Sequence, residues 1–425
     1  MNPIYRLIAL LIICIPNRVL VAQPMSMLSL KDVQRLSREN YPLLQQQAYY
    51  KELQANKWHE TGLLNMPQLS VTGQATYQSE VTQFNIPGSG STGFQQKPDQ
   101  YAIGVEIKKT INDWGVIRKQ QEMESLGSDM QQTQVDVELL KLRDRVNGIF
   151  GNLLFLQENE QILNLRLSDL QARGKKVKTA VEQGAALKSS YLIIESEKLS
   201  TQQKLEEVRF NRVLGCQLLS LYTQQTIDTS AQLVRPEALL VDNNNPIRRP
   251  ENTLFNLQRT QLQTRVNYIQ SIALPKVFVF GRGYYGRPGF NFLNNEFRPY
   301  GLVGIGLNWN LSAYYTLAKE KQDVALNQKI VAAKQAEFEL NLKSDLWQKN
   351  MEVRKLERLI TMDDDIVRTK AEIKRSAASQ LDNGVITPSD YLVELNAETQ
   401  ARLNKSLHEI QWLMAIENYI TALGQ

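Results

Sequence analysis

The chain has 425 residues, of which 42% are hydrophobic and 22% charged, and its mean hydropathy is -0.35. These values exclude a bundle of membrane-spanning helices, which requires long and nearly uncharged apolar segments. The formal net charge of +5 is small and its basic residues are dispersed among acidic ones, so no nucleic-acid-binding patch is expected. The two histidines, His59 and His408, lack a Cys or carboxylate at metal-ligand spacing, so neither a metal nor another cofactor is expected.

The N-terminus has the pattern of a secretory signal peptide over residues 1–22. A short positive start at residues 2–6 precedes an apolar run at residues 7–15, and Ala22 precedes a plausible cleavage point near Gln23. The apolar run is too short to span a bilayer as a helix. The mature chain is therefore expected to be exported.

The cysteines add little to the fold. Cys14 lies inside the apolar run of the leader without a small residue before it, so a lipid anchor at this cysteine is not expected. Removal of the leader leaves only Cys216, so the exported chain forms no intramolecular disulfide.

Four sequence features recur in the same order at a spacing near 200 residues. They are the Pro-x-aliphatic-x-Val-x-Gly segments 67–73 and 275–281, the alternating segments 103–107 and 303–307, Gly184 and Gly384, and the Leu-Gly pairs at 214–215 and 423–424. This self-similarity predicts an internal duplication. The first structural repeat is expected at 23–226, an Asn- and Pro-rich linker at 227–250, and the second repeat at 251–425. Each repeat is predicted to run helix, strand, long loop, strand, very long helix, turn and shorter helix.

Heptad-spaced apolar residues predict coiled-coil helices. The seam of the first repeat holds Leu142, Ile149, Leu156, Leu163, Leu170 and Val177. The seam of the second repeat begins with Val324, Val331 and Phe338. After a one-residue slip it continues with Leu346, Val353, Ile360 and Val367. A continuous helix ending near Gly184 or Gly384 would be roughly 105 Å long at 1.5 Å per residue. Glycine closes helices readily and proline opens them, so Gly184, Gly384 and Pro388 predict two helical hairpin tips.

Three segments alternate with period two, at about 68–77, 101–111 and 300–311. Apolar residues occupy one face and small or polar residues the other, which is typical of transmembrane barrel strands. A fourth segment, at about 276–285, alternates less regularly because Phe278 and Phe280 share a face with Arg282, and it is predicted as a strand from its match to the first repeat. Gly306→Ser on the polar side is therefore expected to be mild. Tyr77, Tyr101, Tyr300 and Trp309 near the strand ends are interpreted as an interfacial aromatic girdle, with ordinary strand packing as the alternative.

Four strands cannot close a barrel in a membrane. Open strand edges would leave backbone N–H and C=O groups unpaired in hydrocarbon, at several kcal/mol each. The barrel must therefore be assembled from several chains, and since at least eight strands are needed, both two and three copies satisfy this requirement.

These features resemble the TolC-like outer membrane efflux family over nearly the whole mature chain. The resemblance implies a mainly α-helical homotrimer with a twelve-stranded transmembrane β-barrel and a long periplasmic α-helical tunnel. It also implies a location in the outer membrane of a Gram-negative bacterium and contact with lipid. The expected function is passive export, as the exit duct of a tripartite efflux or type I secretion system, with no catalytic residues. The implied partners are a periplasmic membrane fusion (adaptor) protein and an inner-membrane pump of the RND or ABC type.

The resemblance also suggests site residues at the hairpin tips. Family members carry acidic residues that ring the tunnel mouth after the second hairpin turn, and Asp390 occupies the first such position. The usual second acid falls at Val393, with Glu394 adjacent, so both Asp390 and Glu394 are gate candidates. The alternative role for Asp390 is that of a helix N-terminal acid stabilised by the helix dipole. Docking to the adaptor is expected at the tips, near Gly184, Gly384, Tyr191 and Tyr391.

Two other functional classes fit the sequence less well. A periplasmic coiled-coil adaptor or structural protein of an export complex would explain the heptads, but adaptors usually carry one helical hairpin and do not repeat the helix-strand-strand-helix unit. An enzyme is disfavoured because no nucleophile, base and orienting group occur together. The glycine pattern at 281–286 resembles a dinucleotide motif, but Pro288 and Gly289 stand where its phosphate-binding helix should begin.

Overall fold

The computed structural model describes residues 27–84, 93–237 and 246–425. The predicted signal peptide at 1–22 and its cleavage point near Gln23 lie outside these residues, as does part of the predicted linker.

The described elements follow one another as helices and strands in two similar series. The first series is β1 (Met27–Leu28), α1 (Leu30–Asn40), α2 (Pro42–Leu63), β2 (Gln68–Tyr77), β3 (Asp99–Asn112), α3 (Val116–Glu182) and α4 (Lys188–Thr223). The second is β4 (Gln232–Leu233), α5 (Pro250–Ile272), β5 (Lys276–Arg287), β6 (Arg298–Asn308), α6 (Ala313–Asp382) and α7 (Pro388–Ala422). Strand β6 ends at Asn308, so Trp309 and Leu311, which the alternation placed in it, lie beyond the strand. None of the described helices is both long and apolar enough to cross a membrane.

The chain divides into two compact units, and each takes segments from both sequence repeats. Unit 1 contains the described residues of Met1–Asn40, Val146–Ala238 and Leu356–Met414. Unit 2 contains the described residues of Tyr41–Arg145, Leu239–Lys355 and Ala415–Gln425. The hairpin turns belong to unit 1, and the four long strands belong to unit 2.

The two long helices end in the same way. Gly184 and Gly384 have φ values of 74° and 73°, in the left-handed region that glycine adopts without steric cost. After α3, Ala185 N donates to Ala180 O and Gly184 N to Val181 O, and after α6 the equivalent donors are Val385 and Gly384. This pair of bonds is a Schellman motif, which satisfies carbonyls left unpaired at a helix end. Both hairpin turns therefore follow from local sequence chemistry.

The long strands form one antiparallel sheet in the order β2-β3-β5-β6. The central pair, β3 with β5, joins the two sequence repeats and sets Gly104 opposite Tyr284. Through all three pairings, up to a bulge at Thr110/Asn112, even-numbered residues share one face and odd-numbered residues the other. We call these the even face and the odd face. Strands β2 and β6 form the two edges of this sheet, as far as the described residues show.

The helices of unit 1 enclose an apolar core near the hairpin tips. One cluster joins α3, α4, α6 and α7 through the buried residues Leu170, Ile194, Ala377, Tyr391, Leu392 and Leu395. A second cluster joins α3 to α4 through Leu156, Leu163, Leu205 and Val208. Three members of the predicted first-repeat seam, Leu156, Leu163 and Leu170, thus face other helices, as coiled-coil spacing requires.

Polar contacts supplement apolar packing among the helices of unit 2. The Gln54 side-chain amide donates to Ser125 Oγ over 2.6 Å, and Ser128 Oγ donates to Tyr50 O over 2.7 Å, which tie α2 to α3. Thr264 Oγ1 donates to Glu122 Oε1 over 3.1 Å, which ties α5 to α3. The helices that precede β2 and β5 are therefore both anchored on the helix that follows β3.

Candidate membrane face and hairpin tips

The odd face of the sheet is apolar and exposed. Val303 and Ile305 expose 86% and 75% of their surface, although they lie in the middle of β6. Their neighbours on this face are of the same kind: Leu69, Val71, Ile103, Val105, Ile107, Val277, Val279 and Leu307. Apolar patches of this extent are unusual on soluble monomers and mark contact with a membrane or another protein.

Aromatic side chains flank this face at the loop end of the sheet. Tyr77, Tyr101 and Tyr285 occupy odd positions at the ends of β2, β3 and β5. The Phe297 ring lies between two of them, 6.2 Å from Tyr101 and 6.0 Å from Tyr285 between ring centroids. Tyr300, which the sequence analysis grouped with Tyr77 and Tyr101, lies on the even face and stacks on Tyr284 at 5.5 Å. That part of the predicted girdle is wrong, because Tyr300 has the opposite parity.

A second aromatic group lies at the helix end of the sheet. Trp114 Nε1 donates to Pro275 O over 2.6 Å, and Trp309 Nε1 donates to Ala273 O over 3.1 Å. The Tyr314 ring meets Trp309 edge-on at 6.5 Å, and all three rings remain exposed. Such rings, apolar in body and hydrogen-bonded through N–H, are suited to the boundary between hydrocarbon and water.

The even face is polar and carries the charged side chains of the sheet interior. The Arg282 guanidinium lies 3.0 Å from the Glu106 carboxylate and 4.8 Å from the Phe280 ring centroid. Lys108 Nζ lies 4.0 Å from the centroid of Phe278. Strand β2 contributes hydroxyl and amide groups from Ser70, Thr72, Gln74 and Thr76.

Glycines on the even face accommodate these aromatic rings. A Cβ atom on Gly306 would lie 2.3 Å from Phe278 Cζ, and one on Gly104 would lie 2.1 Å from Tyr284 Cδ1. Each glycine pairs with that aromatic residue across the strands, so the ring covers the position where a side chain would stand. The absence of a side chain at Gly104 and Gly306 thus has a packing cause.

Two helices expose continuous apolar stripes in the single chain. On α6 the exposed residues fall within an arc of about 100° and comprise Leu326, Ile330, Leu340, Trp347, Met351, Met362, Ile366 and Ile373. On α4 the stripe comprises Leu192, Leu199, Phe210, Leu214 and Leu221. Stripes of this kind need a partner helix to remove them from water.

Asp390 caps the last long helix. Its Oδ2 atom accepts hydrogen bonds from Thr387 N over 3.0 Å and from Thr387 Oγ1 over 2.7 Å, and Asp390 N donates to Thr387 Oγ1 over 3.3 Å. This reciprocal pattern is a capping box. The hydrogen bonds from Thr387 lower the pKa of the Asp390 carboxyl below its usual value, so it stays ionised. The single chain therefore gives Asp390 a capping role, independent of any role at a tunnel mouth.

Glu394, the second gate candidate, lies one helical turn after Asp390 on α7. One of its carboxylate oxygens is 3.9 Å from Lys370 Nζ of α6. The two acidic side chains thus have different surroundings, because Asp390 is held by a turn and Glu394 lies beside a lysine.

Tyr391 is a core residue. Its side chain is only 1% exposed, its hydroxyl donates to Asp169, and the Arg173 guanidinium lies 4.2 Å from its ring centroid. Burial and the Asp169 carboxylate both raise the pKa of Tyr391, so it stays neutral. Because its side chain is buried within the single chain, any contribution of Tyr391 to an adaptor-docking surface would be indirect, through support of the hairpin tip.

The remaining docking candidates lie in or next to the hairpin turns. Gly184 and Gly384 form the turns, and a Cβ at either glycine would meet no atom within 4 Å. Tyr191 is half-buried and its hydroxyl donates to Glu195 Oε2 over 3.3 Å. Leu187 and Val385, which sequence reasoning did not single out, expose 73% and 72% of their surface. The sequence signal that could have identified Leu187 and Val385 is an apolar residue within a hairpin turn.

His408 is paired with a carboxylate of another helix. His408 Nδ1 lies 2.6 Å from Asp363 Oδ2, so His408 has a carboxylate partner that sequence spacing did not reveal. The pair joins α7 to α6 within unit 1. In the described part of the chain, no group of three or more His, Cys, Asp or Glu side chains is arranged to hold a metal ion.

No protein-family model and no curated protein sequence matches this chain. Solved structures do match. The outer-membrane channel OprN aligns over 93% of this chain and 89% of its own, with a TM-score of 0.71 and 14% identity. The Campylobacter jejuni CmeC outer membrane channel aligns over 93% and 85%, and the Vibrio cholerae outer membrane protein VceC over 93% and 96%, each with a TM-score of 0.68 and 14% identity. The chain therefore has the fold of these outer-membrane channels, and the predicted resemblance is confirmed at the level of the fold.

Proposed function

We propose that this chain is one protomer of a homotrimeric exit duct in the outer membrane of a Gram-negative bacterium. It would pass substrates from a periplasmic pump complex to the exterior without any catalytic step. The observation that carries this proposal is the exposed, uncharged centre of the odd face, between two groups of aromatic rings. The similarity in fold to outer-membrane channels supports it.

The uncharged part of the odd face has a height compatible with a membrane. On β3 it runs from Tyr101 at the loop end to Lys109 at the helix end, eight residues or about 26 Å along the strand. A tilt of 35–45°, usual for barrel strands, reduces this to about 20 Å along the membrane normal. The apolar band of outer-membrane barrels is about 25 Å tall, and a lysine at its limit can extend its ammonium group toward the headgroups.

The trimer is proposed from the open edges of the sheet. The β2 and β6 edges carry unpaired backbone groups that hydrocarbon would not tolerate, so β6 of one copy is expected to pair with β2 of the next. Three copies would supply twelve strands. The apolar stripes on α4 and α6 support the same arrangement, because neighbouring copies would remove them from water.

The helices and hairpin tips are proposed to form a periplasmic tunnel and its docking end. Leu187 and Val385, with Gly184, Gly384 and Tyr191, are proposed to contact a periplasmic adaptor, with Tyr391 supporting the tip from inside. The pump behind the adaptor is proposed to be of the RND or ABC type. Asp390, or Glu394 in its place, is proposed to line the tunnel mouth as a ring of three carboxylates that bind cations.

A periplasmic adaptor is the competing function. An adaptor in the aqueous periplasm gains nothing from an apolar sheet face of this extent. The sheet therefore favours the duct.

Fractionation and native mass test the proposal together. The mature chain is expected in the outer-membrane fraction, with heat-modifiable migration and a detergent-corrected mass of three protomers. Recovery of the chain as a soluble periplasmic monomer would refute the duct and favour the competing function of a periplasmic adaptor.

A further inference from the structure

The charges on the even face are strongly unequal. The even positions of the four long strands carry four basic residues, Lys108, Lys276, Arg282 and Arg298, and one acidic residue, Glu106. The odd face is charged only at its two ends: Asp99 and Arg287 lie at the loop end, and Lys109 lies at the helix end. The strand residues between these ends are uncharged on this face. The excess of positive charge therefore belongs to one face of the sheet.

Two of the basic groups are already neutralised by carboxylates. Arg282 pairs with Glu106 at 3.0 Å, and Arg298 pairs with Glu296 at 2.8 Å. Lys108 and Lys276 have no carboxylate within ion-pair distance among the described residues, and Lys108 lies instead over the Phe278 ring. Each chain thus presents two uncompensated cations on this face.

Aromatic packing holds one of these cations close to the sheet. The Phe278 ring covers Gly306, where a Cβ atom would lie 2.3 Å from Phe278 Cζ, and Lys108 Nζ lies over that ring at 4.0 Å. A cation on an aromatic face keeps its charge while its freedom of movement is restricted. Lys108 therefore supplies a fixed positive charge at a defined height on β3.

We propose that the even face lines the water-filled passage at the sheet and that Lys108 and Lys276 make this stretch, as distinct from the acidic mouth proposed at Asp390 or Glu394, selective for anionic solutes. This inference rests on the proposed duct, because the odd face must contact lipid for the even face to contact water. Three copies would place six uncompensated ammonium groups around the lumen. A ring of like charges concentrates counter-ions and repels ions of its own sign.

The sign of the selectivity can be tested in planar bilayers with the full mature chain. We expect the Cl⁻/K⁺ permeability ratio, obtained from the reversal potential in a KCl gradient, to fall by on the order of twofold in the Lys108→Gln/Lys276→Gln double variant. Glu106→Gln should shift the ratio in the opposite direction, because it removes the counter-charge of Arg282. Both shifts should be large near 0.1 M salt and small near 1 M, where the screening length falls from about 10 to 3 Å.

Lys109→Gln is the matched control. It removes the same charge from the next residue, whose side chain lies on the odd face and donates to Asn65 Oδ1 over 2.9 Å. We expect no change in the permeability ratio for this variant. Conducting channels in which Lys108, Lys276 and Glu106 variants all keep the wild-type ratio would overturn the inference and leave the duct intact. A wild-type chain that opens no channel would instead count against the duct, and the inference would fall with it.

Discussion

Tyr391 joins two helices at the hairpin end of unit 1 through three kinds of contact. Its ring packs in the apolar cluster, the Arg173 guanidinium of α3 lies over it, and its hydroxyl donates to Asp169 of α3. A buried hydroxyl of this kind must keep its hydrogen bond, because an unpaired polar group in the core is costly. The residue is thus structural, and its effect on the tip is indirect.

Replacing Tyr391 by Phe tests this role. The substitution keeps the ring and removes the hydrogen bond to Asp169, so we expect the tip to lose about 1 kcal/mol of stability, measured by hydrogen exchange in the hairpin region. Tyr191→Phe is the control, since the Tyr191 hydroxyl donates to Glu195 on its own helix. Equal effects of the two substitutions would show that the Tyr391 contact to Asp169 contributes nothing particular.

Gly306 is the residue at which structure and sequence reasoning lead to different predictions. A β-carbon at this position requires the Phe278 ring, over which Lys108 lies, to move away from Gly306. We expect Gly306→Ala or Gly306→Ser to destabilise the assembly by about 1–3 kcal/mol, seen as a lower temperature of trimer dissociation on gels. Gly283→Ala is the control, because a Cβ there would meet no atom of the described residues within 4 Å. A wild-type dissociation temperature for the Gly306 variants would support the mild effect expected from sequence.

At the scale of elements, the sheet segregates its faces through strand parity. The odd face is apolar across all four strands because their register keeps every odd residue on one side. A one-residue slip in any strand would bring its charged or polar even residues to that side. The register therefore decides which residues form the apolar face.

A charge on the odd face tests its contact with lipid. Val105→Arg or Ile305→Arg should cost roughly 2–4 kcal/mol near the membrane midplane, and should lower the amount of folded trimer in the outer membrane. Thr72→Arg adds the same side chain on the even face of β2 and should be tolerated. If Thr72→Arg were as harmful as Val105→Arg, the assignment of faces would be reversed or wrong.

At the scale of the whole molecule, the acidic residues of the hairpin raise the question of closure. In a trimer, three copies of Asp390 near one axis would repel each other and raise the carboxyl pKa. Within the chain, hydrogen bonds from Thr387 act in the opposite direction and lower it. A capped carboxylate keeps its charge at lower pH than a free one, which favours cation binding at the mouth.

Single-channel recordings separate the two gate candidates. Asp390→Asn should weaken block by divalent cations and change conductance, and wild-type block should persist until the pH falls below the ordinary Asp pKa of about 3.9. The contribution of the cap to stability follows the same direction, present above that pH and lost as pH falls through the lowered pKa. If Glu394→Gln alters block and Asp390→Asn does not, the gate acid is Glu394. If neither changes it, closure depends on packing.

Local chemistry in the sequence was sufficient for the class of fold and for most elements. Period-two alternation predicted three of the long strands, and the glycines at 184 and 384 predicted the two turns, because each depends on residues close in the chain. The strand at 276–285 was predicted from its match to the first repeat. The same alternation could also have placed Tyr300 on the even face, because its position in the strand is even-numbered. The heptad seams predicted the long helices for the same reason, since their spacing is a property of a single helix.

Contacts between distant segments were decided only by the tertiary structure. The pairing of β3 with β5, the burial of Tyr391 against Asp169, and the partnership of His408 with Asp363 each join residues more than 40 positions apart. Whether a tyrosine is a docking residue or a core residue depends on which helices enclose it, and no local pattern carries that information. The same holds for Gly306, whose small size has a cause only when the ring of Phe278 from another strand lies across it.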